Sequence, residues 1–171
     1  MNVKILRVKP SELVNATIRK GQANELPSMQ QNWRFNFDKL NKKLPNSTSY
    51  VLVADEEPDE IQGCLIFQMK DKSVPYMAYV EVAPNNRTDP KKYKYVAGCL
   101  IAFAYKQSLI LGKGDYKGLL SFDVQEENTD DQLKLMVMYC RDYKAVRVDE
   151  TTMYIMDDAG DELVEKYLKR K

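Results

Sequence analysis

Histidine is absent from the 171-residue sequence, and its absence excludes much of the usual enzyme chemistry. A Ser–His–Asp triad and a Cys–His dyad both need an imidazole to move a proton, so neither can operate here. Metal sites that contain histidine are also excluded, and no two cysteines have the spacing of zinc ligands. We therefore expect no metal, and any catalytic acid or base must come from Glu, Asp, Tyr, Lys, Cys, a terminus or water.

Cysteine is scarce as well, with only Cys64, Cys99 and Cys140, an odd number spread along the chain. Each lies in an apolar stretch, which indicates reduced, buried thiols in a cytoplasmic protein. No apolar run approaches the roughly 18 residues that span a bilayer, so we expect no membrane partner. The N-terminal sequence MNVKILRVKP lacks the apolar core of a signal peptide.

Neither sign of charge is in excess, since the formal net charge is +1. A chain so nearly neutral has no overall field that would favour nucleic acid, and we expect no such partner. The length and the hydrophobic content of 44% fit a single domain over residues 1–171 with a sizeable core. Any positively charged site must therefore be local.

Residues 80–111 combine the end of a strand, a basic loop and a long apolar helix. Residues 76–82 are β-branched and aromatic, as in strands, and a helical period of apolar residues begins at Tyr95. Four cations precede this helix: Arg87, Lys91, Lys92 and Lys94. Free N–H groups and the macrodipole make a helix N-terminus positive, so the pattern predicts a phosphate or pyrophosphate site.

Hydrophobic periodicity predicts the remaining elements. Strands are expected at 3–8, 50–54, 61–70 and 118–124, with a closing hairpin at 145–148 and 152–156. Helices are expected after Ser11, after Asn32, from Thr129 to about Cys140, and at 161–171; the third would pack through Leu133, Val137 and Cys140. The order β-α-α-β-β-β-α-β-α-β-β predicts an α/β fold with a mixed, mostly antiparallel central sheet, a parallel crossover, and a ligand near the strand ends there.

This order resembles that of the GNAT superfamily, whose members transfer an acetyl group from acetyl-CoA to an amine. Residues 82–87, VAPNNR, match the family motif V-x-P-x-x-R. After a short insertion, residues 92–97, KYKYVA, correspond to Q/R-x-x-G-x-G/A. Ala97 fits the last position, whereas Lys92 replaces Gln or Arg and Tyr95 replaces the first glycine. The resemblance implies an acyl-CoA N-acyltransferase (GNAT-like) architecture.

The resemblance also implies that acetyl-CoA binds as a co-substrate along this segment. Its pyrophosphate would lie against the start of the helix and the cations before it: Tyr95, Val96, Ala97, Gly98, Arg87, Lys92 and Lys94. Backbone groups of Val80 and Val82 would hydrogen-bond the pantetheine arm, and Asn128 would contact the arm further along.

Residues 138–145, MYCRDYKA, are similar to the family pattern L-Y-x-K-x-G-F, which implies that Tyr139 is the general acid for the departing thiolate. A phenol of pKa ~10 is reasonably matched to a thiol of pKa ~8.5. Glu81 lies where some family members hold a base for the amine; Asp123 or a water are the alternatives. In the less specific interpretation, Tyr139 is an amphipathic helix-end residue and Glu81 a surface carboxylate.

The leading hypothesis is therefore an N-acetyltransferase that acts on a primary amine of a small molecule or peptide. The alternative is a catalytically degenerate GNAT-fold binding or regulatory module, which Tyr95, Lys92 and the long spacing from Asn128 to Tyr139 favour. A third, acetylation of charged tRNA, is disfavoured by the low net charge. A homodimer is left open. The acidic run 55–60 is interpreted as an exposed hairpin tip.

The aromatic residues of the second helix bear on the acceptor, because that helix lines the acceptor site in this superfamily. Trp33, Phe35 and Phe37 would all lie in it. In the alternative interpretation Trp33 and Phe37 belong to the core and only Phe35 faces outward.

Overall fold

A nine-stranded sheet with helices on both faces organises the chain, for which a computed structural model describes residues 1–171. The strands are β1 Asn2–Arg7, β2 Glu12–Lys20, β3 Ser47–Ala54, β4 Glu57–Lys70, β5 Val74–Val82, β6 Tyr93–Lys94, β7 Leu119–Asp123, β8 Val146–Arg147 and β9 Thr152–Met156. The helices are α1 Phe37–Lys43, α2 Val96–Leu111, α3 Thr129–Tyr143 and α4 Asp157–Leu163, the last continued by a π-helical turn at Val164–Leu168.

The strands lie in the order β6-β1-β2-β3-β4-β5-β7-β9-β8. All neighbouring strands are antiparallel except β5 and β7, which are parallel and are joined through α2. The predicted fold class, a mixed and mostly antiparallel sheet with a parallel crossover, is confirmed.

The core has two parts, one on each face of the sheet. The larger part lies under α2, α3 and α4, and α2 is buried along most of its length because it crosses the middle strands. The smaller part lies under α1 and contains Trp33, Phe37 and Ile66. Alternate residues of each central strand therefore face different helices, which explains why β3 and β4 are apolar on both faces. No helix combines the length and the apolar character needed to cross a membrane.

The helix predicted after Ser11 is wrong, because this segment forms β2. Ala16 and Ile18 are buried and Val14 is partly buried, which is the two-residue alternation of a strand. Val14 and Ile18 are four residues apart, a spacing that fits a strand face and a helix face equally well. Pairing with β1 and β3 on both sides decided between the two.

The second predicted helix is shorter than expected. It begins at Phe37 after Asn36, whose side chain accepts a hydrogen bond from the backbone N–H of Lys39 at 3.0 Å. Asn32, the predicted cap, instead ends a short 3-10 turn with φ +63°. Trp33 and Phe37 are buried and Phe35 is only partly so, as the alternative interpretation expected.

The buried face of α3 was predicted wrongly. Leu133, Val137 and Cys140 are exposed, with Val137 62% exposed, whereas the buried face consists of Met136, Tyr139 and Tyr143. Both sets recur at helical spacing, so periodicity alone could not choose between them. The N-cap is Asn128 rather than Thr129. The expectation that all three cysteines are buried holds for Cys64 and Cys99 only.

The basic loop before α2 and the acidic hairpin between β3 and β4 contact each other, which the sequence did not predict. The basic loop contains β6, which pairs with the end of β1. The hydroxyl of Tyr93 in β6 donates to the carboxylates of Glu56 and Glu57 at 2.7 and 3.0 Å. Lys92 also pairs with Glu57, at 2.6 Å. The acidic hairpin is therefore linked to the basic loop by these contacts, while all of its residues from 55 to 60 except Glu57 are exposed, as predicted.

Candidate functional site

The central feature of the site is an opening between β5 and β7. The two strands pair only at Tyr76 and Ser121, near the start of β5. Immediately afterwards β5 carries a bulge, because Ala78 has no partner in the register with β4. A bulge bends its strand and increases the local twist. The strands consequently diverge towards their carboxyl ends, and a cleft of about 360 Å³ lies between them.

The edge of β5 that faces this opening presents free backbone groups. The N–H of Ala83 donates to the carbonyl of Gln62 in β4 at 2.9 Å. Since the direction of N–H and C=O alternates along a strand, Val80 and Val82 direct theirs away from β4 and towards the cleft. No residue of β7 pairs with them. Val80 lines the cleft, and the side chain of Arg87 reaches the Val82 carbonyl at 3.4 Å.

The cleft has a different lining at each face of the sheet. Val80, Phe122 and Tyr139 lie on the face that α2 and α3 cover, within the larger core. On the face that α1 covers, the lining is aromatic and acidic: Phe35, Tyr76, Tyr79, Asp123 and Glu126. One opening through the sheet therefore joins two chemically distinct mouths.

The N-terminus of α2 lies beside a second cavity, of about 330 Å³. The backbone N–H groups of Val96, Ala97 and Gly98 donate to no acceptor in the protein. Arg87, Lys91 and Lys94 line this cavity with Val82, Tyr143 and Tyr167. Three free N–H groups at the positive end of a 16-residue helix, with cations around them, form a site suited to an anion.

Tyr95, at the position where the family motif has glycine, adopts the backbone conformation of glycine. It is the N-cap of α2 with φ +75°, in the left-handed region. A non-glycine residue there costs about 1–2 kcal/mol. Its ring lies 3.6 Å from the Arg170 guanidinium carbon and 6.4 Å from the ring of Tyr167, so it packs on the C-terminal segment.

Gly98 has a packing role in addition to its place at the cavity. A Cβ at this position would lie 2.3 Å from the ring of Tyr167, so only glycine lets the C-terminal segment approach α2 this closely. Tyr167 is itself buried. Because Gly98 has no side chain, the ring of Tyr167 can pack against α2 and form one wall of the cavity.

Tyr139 lies along the cleft, 9% exposed, with its ring against Phe122 and Tyr143. Burial, and next the charge of Glu126, raise the pKa of Tyr139 to about 12. Its hydroxyl makes no hydrogen bond within the protein, although it borders a cavity. This oxygen is not among the buried side-chain atoms that lack a partner, so the hydroxyl is accessible from the cleft.

Glu81 is 7% exposed, and its carboxylate is fully engaged. It accepts from the backbone N–H groups of Arg34 at 2.7 Å and Phe35 at 3.3 Å, and it forms an ion pair with Arg87. These contacts fasten the segment before α1 to β5. The structure thus gives Glu81 a positioning role, and its role as a general base stays a prediction.

Asp123 is likewise hydrogen-bonded. It accepts from the hydroxyl of Tyr76 at 2.7 Å and from the hydroxyls of Thr152 and Thr151 at 2.9 and 3.4 Å. Burial, and then this contact with Asp123, raise the pKa of Tyr76 above its ordinary value. Glu126 differs, because Arg34 is the single side chain that contacts its carboxylate, at 3.0 Å.

Two residues predicted for the site lie away from both cavities. Lys92 pairs with Glu57 at 2.6 Å and Glu60 at 3.0 Å and borders neither the cleft nor the N-terminus of α2. The side-chain oxygen of Asn128 caps α3 by accepting from the N–H groups of Asp130 and Asp131. The ion pairs of Lys92 and the helix cap formed by Asn128 account for the positions of these two side chains.

Sequence reasoning missed Arg34, Tyr79 and Glu126. Arg34 and Glu126 are separated by 92 positions and belong to loops, so no periodic signal joins them. Tyr79 could have been found, because its alternation with Glu81 places both on the same face of β5. The residues that the structure brings to the two cavities are Val80, Val82, Arg87, Lys94, Tyr95, Val96, Ala97, Gly98 and Tyr139.

Comparison with solved structures identifies this architecture. A GNAT family acetyltransferase from Elizabethkingia anophelis with acetyl-CoA bound is 14% identical, with a TM-score of 0.51 over 82% of this chain and 95% of that chain. A Bacillus subtilis acetyltransferase in complex with CoA is 13% identical, with a TM-score of 0.52 over 83% and 99%. The chain has the GNAT fold.

A point mutant of spermidine N-acetyltransferase from Vibrio cholerae also shares the GNAT fold, at 16% identity and a TM-score of 0.57 over 88% of this chain and 97% of that chain. No protein-family model and no curated protein matches the sequence. At these identities the likeness establishes the GNAT fold, which is the fold expected from the sequence, and the chemistry must be argued from the two cavities.

Proposed function

We propose that the protein transfers an acetyl group from acetyl-CoA to a primary amine. The observation that carries the proposal is the opening between β5 and β7, lined by Tyr139, with a cavity suited to an anion nearby at α2. Val80 and Val82, two positions apart on the free edge of β5, border one cavity each. Solved structures of the same fold include proteins with CoA or acetyl-CoA bound, and one that acts on spermidine. An extended thioester cofactor with a pyrophosphate at one end suits such a cleft.

The residues present fit acetyl-CoA group by group. The free N–H groups of Val96, Ala97 and Gly98 receive the pyrophosphate, and Arg87, Lys91 and Lys94 add charge. Backbone groups of Val80 and Val82 hydrogen-bond the pantetheine amides in the manner of a strand. Tyr95 does not oppose this, because its backbone keeps the conformation of glycine and its ring packs on Arg170.

Bound acetyl-CoA supplies a thioester for direct attack by the amine, and the chain supplies proximity and a proton. Tyr139 donates its proton to the departing sulfur, and the proton that the amine loses passes to water. Its pKa of about 12 keeps the phenol protonated. A thiolate that forms in a cleft from which water is excluded is a stronger base than in water, because burial disfavours the charged form. The pKa values of the acid, Tyr139, and of the departing thiol therefore remain similar.

Calorimetry with acetyl-CoA up to about 1 mM, followed by thiol release in the presence of an amine panel, tests the proposal directly. We expect saturable binding with a Kd in the micromolar range, which is ordinary for an enzyme substrate. Absence of heat up to millimolar acetyl-CoA would exclude the proposed function. The alternative, a non-catalytic module of the same fold, requires binding of acetyl-CoA with no thiol release for any amine.

A Glu81→Gln variant separates the two roles considered for this residue. Because all contacts of the carboxylate fasten Arg34, Phe35 and Arg87, we expect the variant to raise the KM for the amine severalfold and to change kcat less than about tenfold. Loss of a general base would instead lower kcat by about 10²-fold or more. A pH–rate profile decides: disappearance of its acidic limb in the variant would establish Glu81 as the base.

A further inference from the structure

The mouth of the cleft on the α1 face contains three aromatic rings and two carboxylates. The ring of Phe35 lies 4.9 Å from that of Tyr79, and Tyr76 lies deeper, where β5 and β7 meet. Asp123 and Glu126 complete the lining from β7 and the loop after it. Aromatic faces and carboxylates both attract cations, and together they form the usual surroundings of a bound ammonium group.

Two cations of the protein itself already contact rings of this mouth, although only Arg34 is part of its lining. The ammonium nitrogen of Lys70 lies 3.3 Å from the centre of the Tyr76 ring. The guanidinium group of Arg34 lies 5.7 Å from the centre of the Phe35 ring and 3.0 Å from Glu126. These contacts mark the positions at which a positive charge is stabilised.

The Arg34–Glu126 pair spans the cleft, from the segment fastened to β5 to the loop that follows β7. The two side chains are unequally exposed, with Arg34 at 56% and Glu126 at 21%. Glu126 is therefore fixed in the lining, whereas Arg34 can turn into solvent at little cost, because exposed ion pairs are weak. An incoming cation that replaced Arg34 would leave the carboxylate of Glu126 paired.

Resting on the proposed acetyl transfer, we propose that the acceptor is an alkylammonium without an acidic group, and that its ammonium replaces Arg34 on Glu126. The bound ammonium gives a proton to water before the free amine attacks the thioester. The rings of Phe35 and Tyr79 then contact the alkyl chain. An acceptor carboxylate would meet Asp123, Glu126 and the nearby charge of Glu127. The mouth thus favours an amine and opposes an amino acid.

A matched pair of acceptors tests the charge preference. With saturating acetyl-CoA, we expect 1,4-diaminobutane to have a kcat/KM at least about tenfold above that of 4-aminobutanoate, which has the same chain and an acid at the far end. Nα-acetyl-lysine amide, assayed in parallel, tells whether the alkylammonium belongs to a free diamine or to a lysine side chain. A preference for 4-aminobutanoate would overturn the assignment.

Substitutions of the two ion-pair residues should change the KM for the amine in opposite directions. Arg34→Ala removes the internal competitor, so the KM for 1,4-diaminobutane should fall by about three- to tenfold. Glu126→Gln removes the carboxylate, so that KM should rise by about ten- to a hundredfold, with the Kd of acetyl-CoA unchanged. Lys42→Ala is the control, since Lys42 forms an exposed ion pair with Asp38 on α1, outside the cleft lining. A higher KM in Arg34→Ala would show that Arg34 itself binds the acceptor and would refute the proposal.

Binding without turnover keeps this inference separate from the proposed function. Calorimetry of 1,4-diaminobutane with the ligand-free protein should give tighter binding in Arg34→Ala than in the wild type. If acetyl-CoA binds and the diamine does not, the acceptor class is wrong while the proposed function stands. If the diamine binds and acetyl-CoA does not, the proposed function fails while the cation site is supported.

Discussion

Replacing Ala97 by Glu should weaken the binding of acetyl-CoA about a hundredfold while leaving the fold intact. Ala97 is half-buried in the first turn of α2, and its N–H is one of the three without an acceptor. A carboxylate about 5 Å from a phosphate opposes it by roughly 3 kcal/mol at an effective dielectric constant of about 20, which is about a hundredfold in Kd. Calorimetry measures this loss.

The same substitution should not destabilise the protein, because an acidic side chain in the first turn interacts favourably with the helix dipole. The melting temperature of Ala97→Glu is therefore expected to equal or exceed that of the wild type. Ala97→Gln is the matched control, since it has nearly the same size and no charge. Equal weakening in both variants would mean that bulk and not charge is responsible, and that no anion binds at α2.

The second large effect is expected in Tyr139→Phe, which should lower kcat by about 10²- to 10⁴-fold, the usual contribution of a general acid. Because the hydroxyl has no partner in the protein, its removal breaks no internal hydrogen bond. Thermal stability and the Kd of acetyl-CoA should therefore stay close to the wild-type values. Steady-state kinetics with thiol detection measure the change in kcat.

Tyr143→Phe provides the comparison for Tyr139→Phe. Tyr143 lies one turn further along α3, is equally buried and borders the cavity beside α2 instead of the cleft. Removing the hydroxyl of Tyr143 should change kcat by less than about threefold. Since the pKa of Tyr139 is about 12, the wild-type rate should show no loss from its ionisation below about pH 11. Equal kcat values in the two variants would show that Tyr139 is not the acid.

The crossover from β5 through α2 to β7 could be predicted from sequence because each element has a long, unambiguous period and the loop between them is rich in breakers. The prediction of an anion site came from the same stretch, since free N–H groups are a property of any helix start. Arg87, Lys94 and Ala97 line the cavity beside α2 because their position is fixed by the chain near them, and their role in binding an anion stays a prediction.

Contacts between distant segments could not be predicted in the same way. Lys92 was grouped with its neighbours in a basic loop, but β6 pairing with β1 turns it towards Glu57 and Glu60. Glu81 reads as a surface carboxylate or a base, and only the fold reveals the N–H groups of Arg34 and Phe35 opposite it. In each case the partner lies more than 30 positions away.

The single residue pair between β5 and β7 has a thermodynamic consequence. The sheet has two parts, one ending at β5 and one formed by β7, β9 and β8. Few backbone hydrogen bonds join the two parts. If acetyl-CoA binds between the two parts as proposed, it joins them and raises the free energy of unfolding by about 2.7 kcal/mol at a hundred times its Kd. Co-substrate concentration would then help to set how long the folded chain survives, as well as how fast it works.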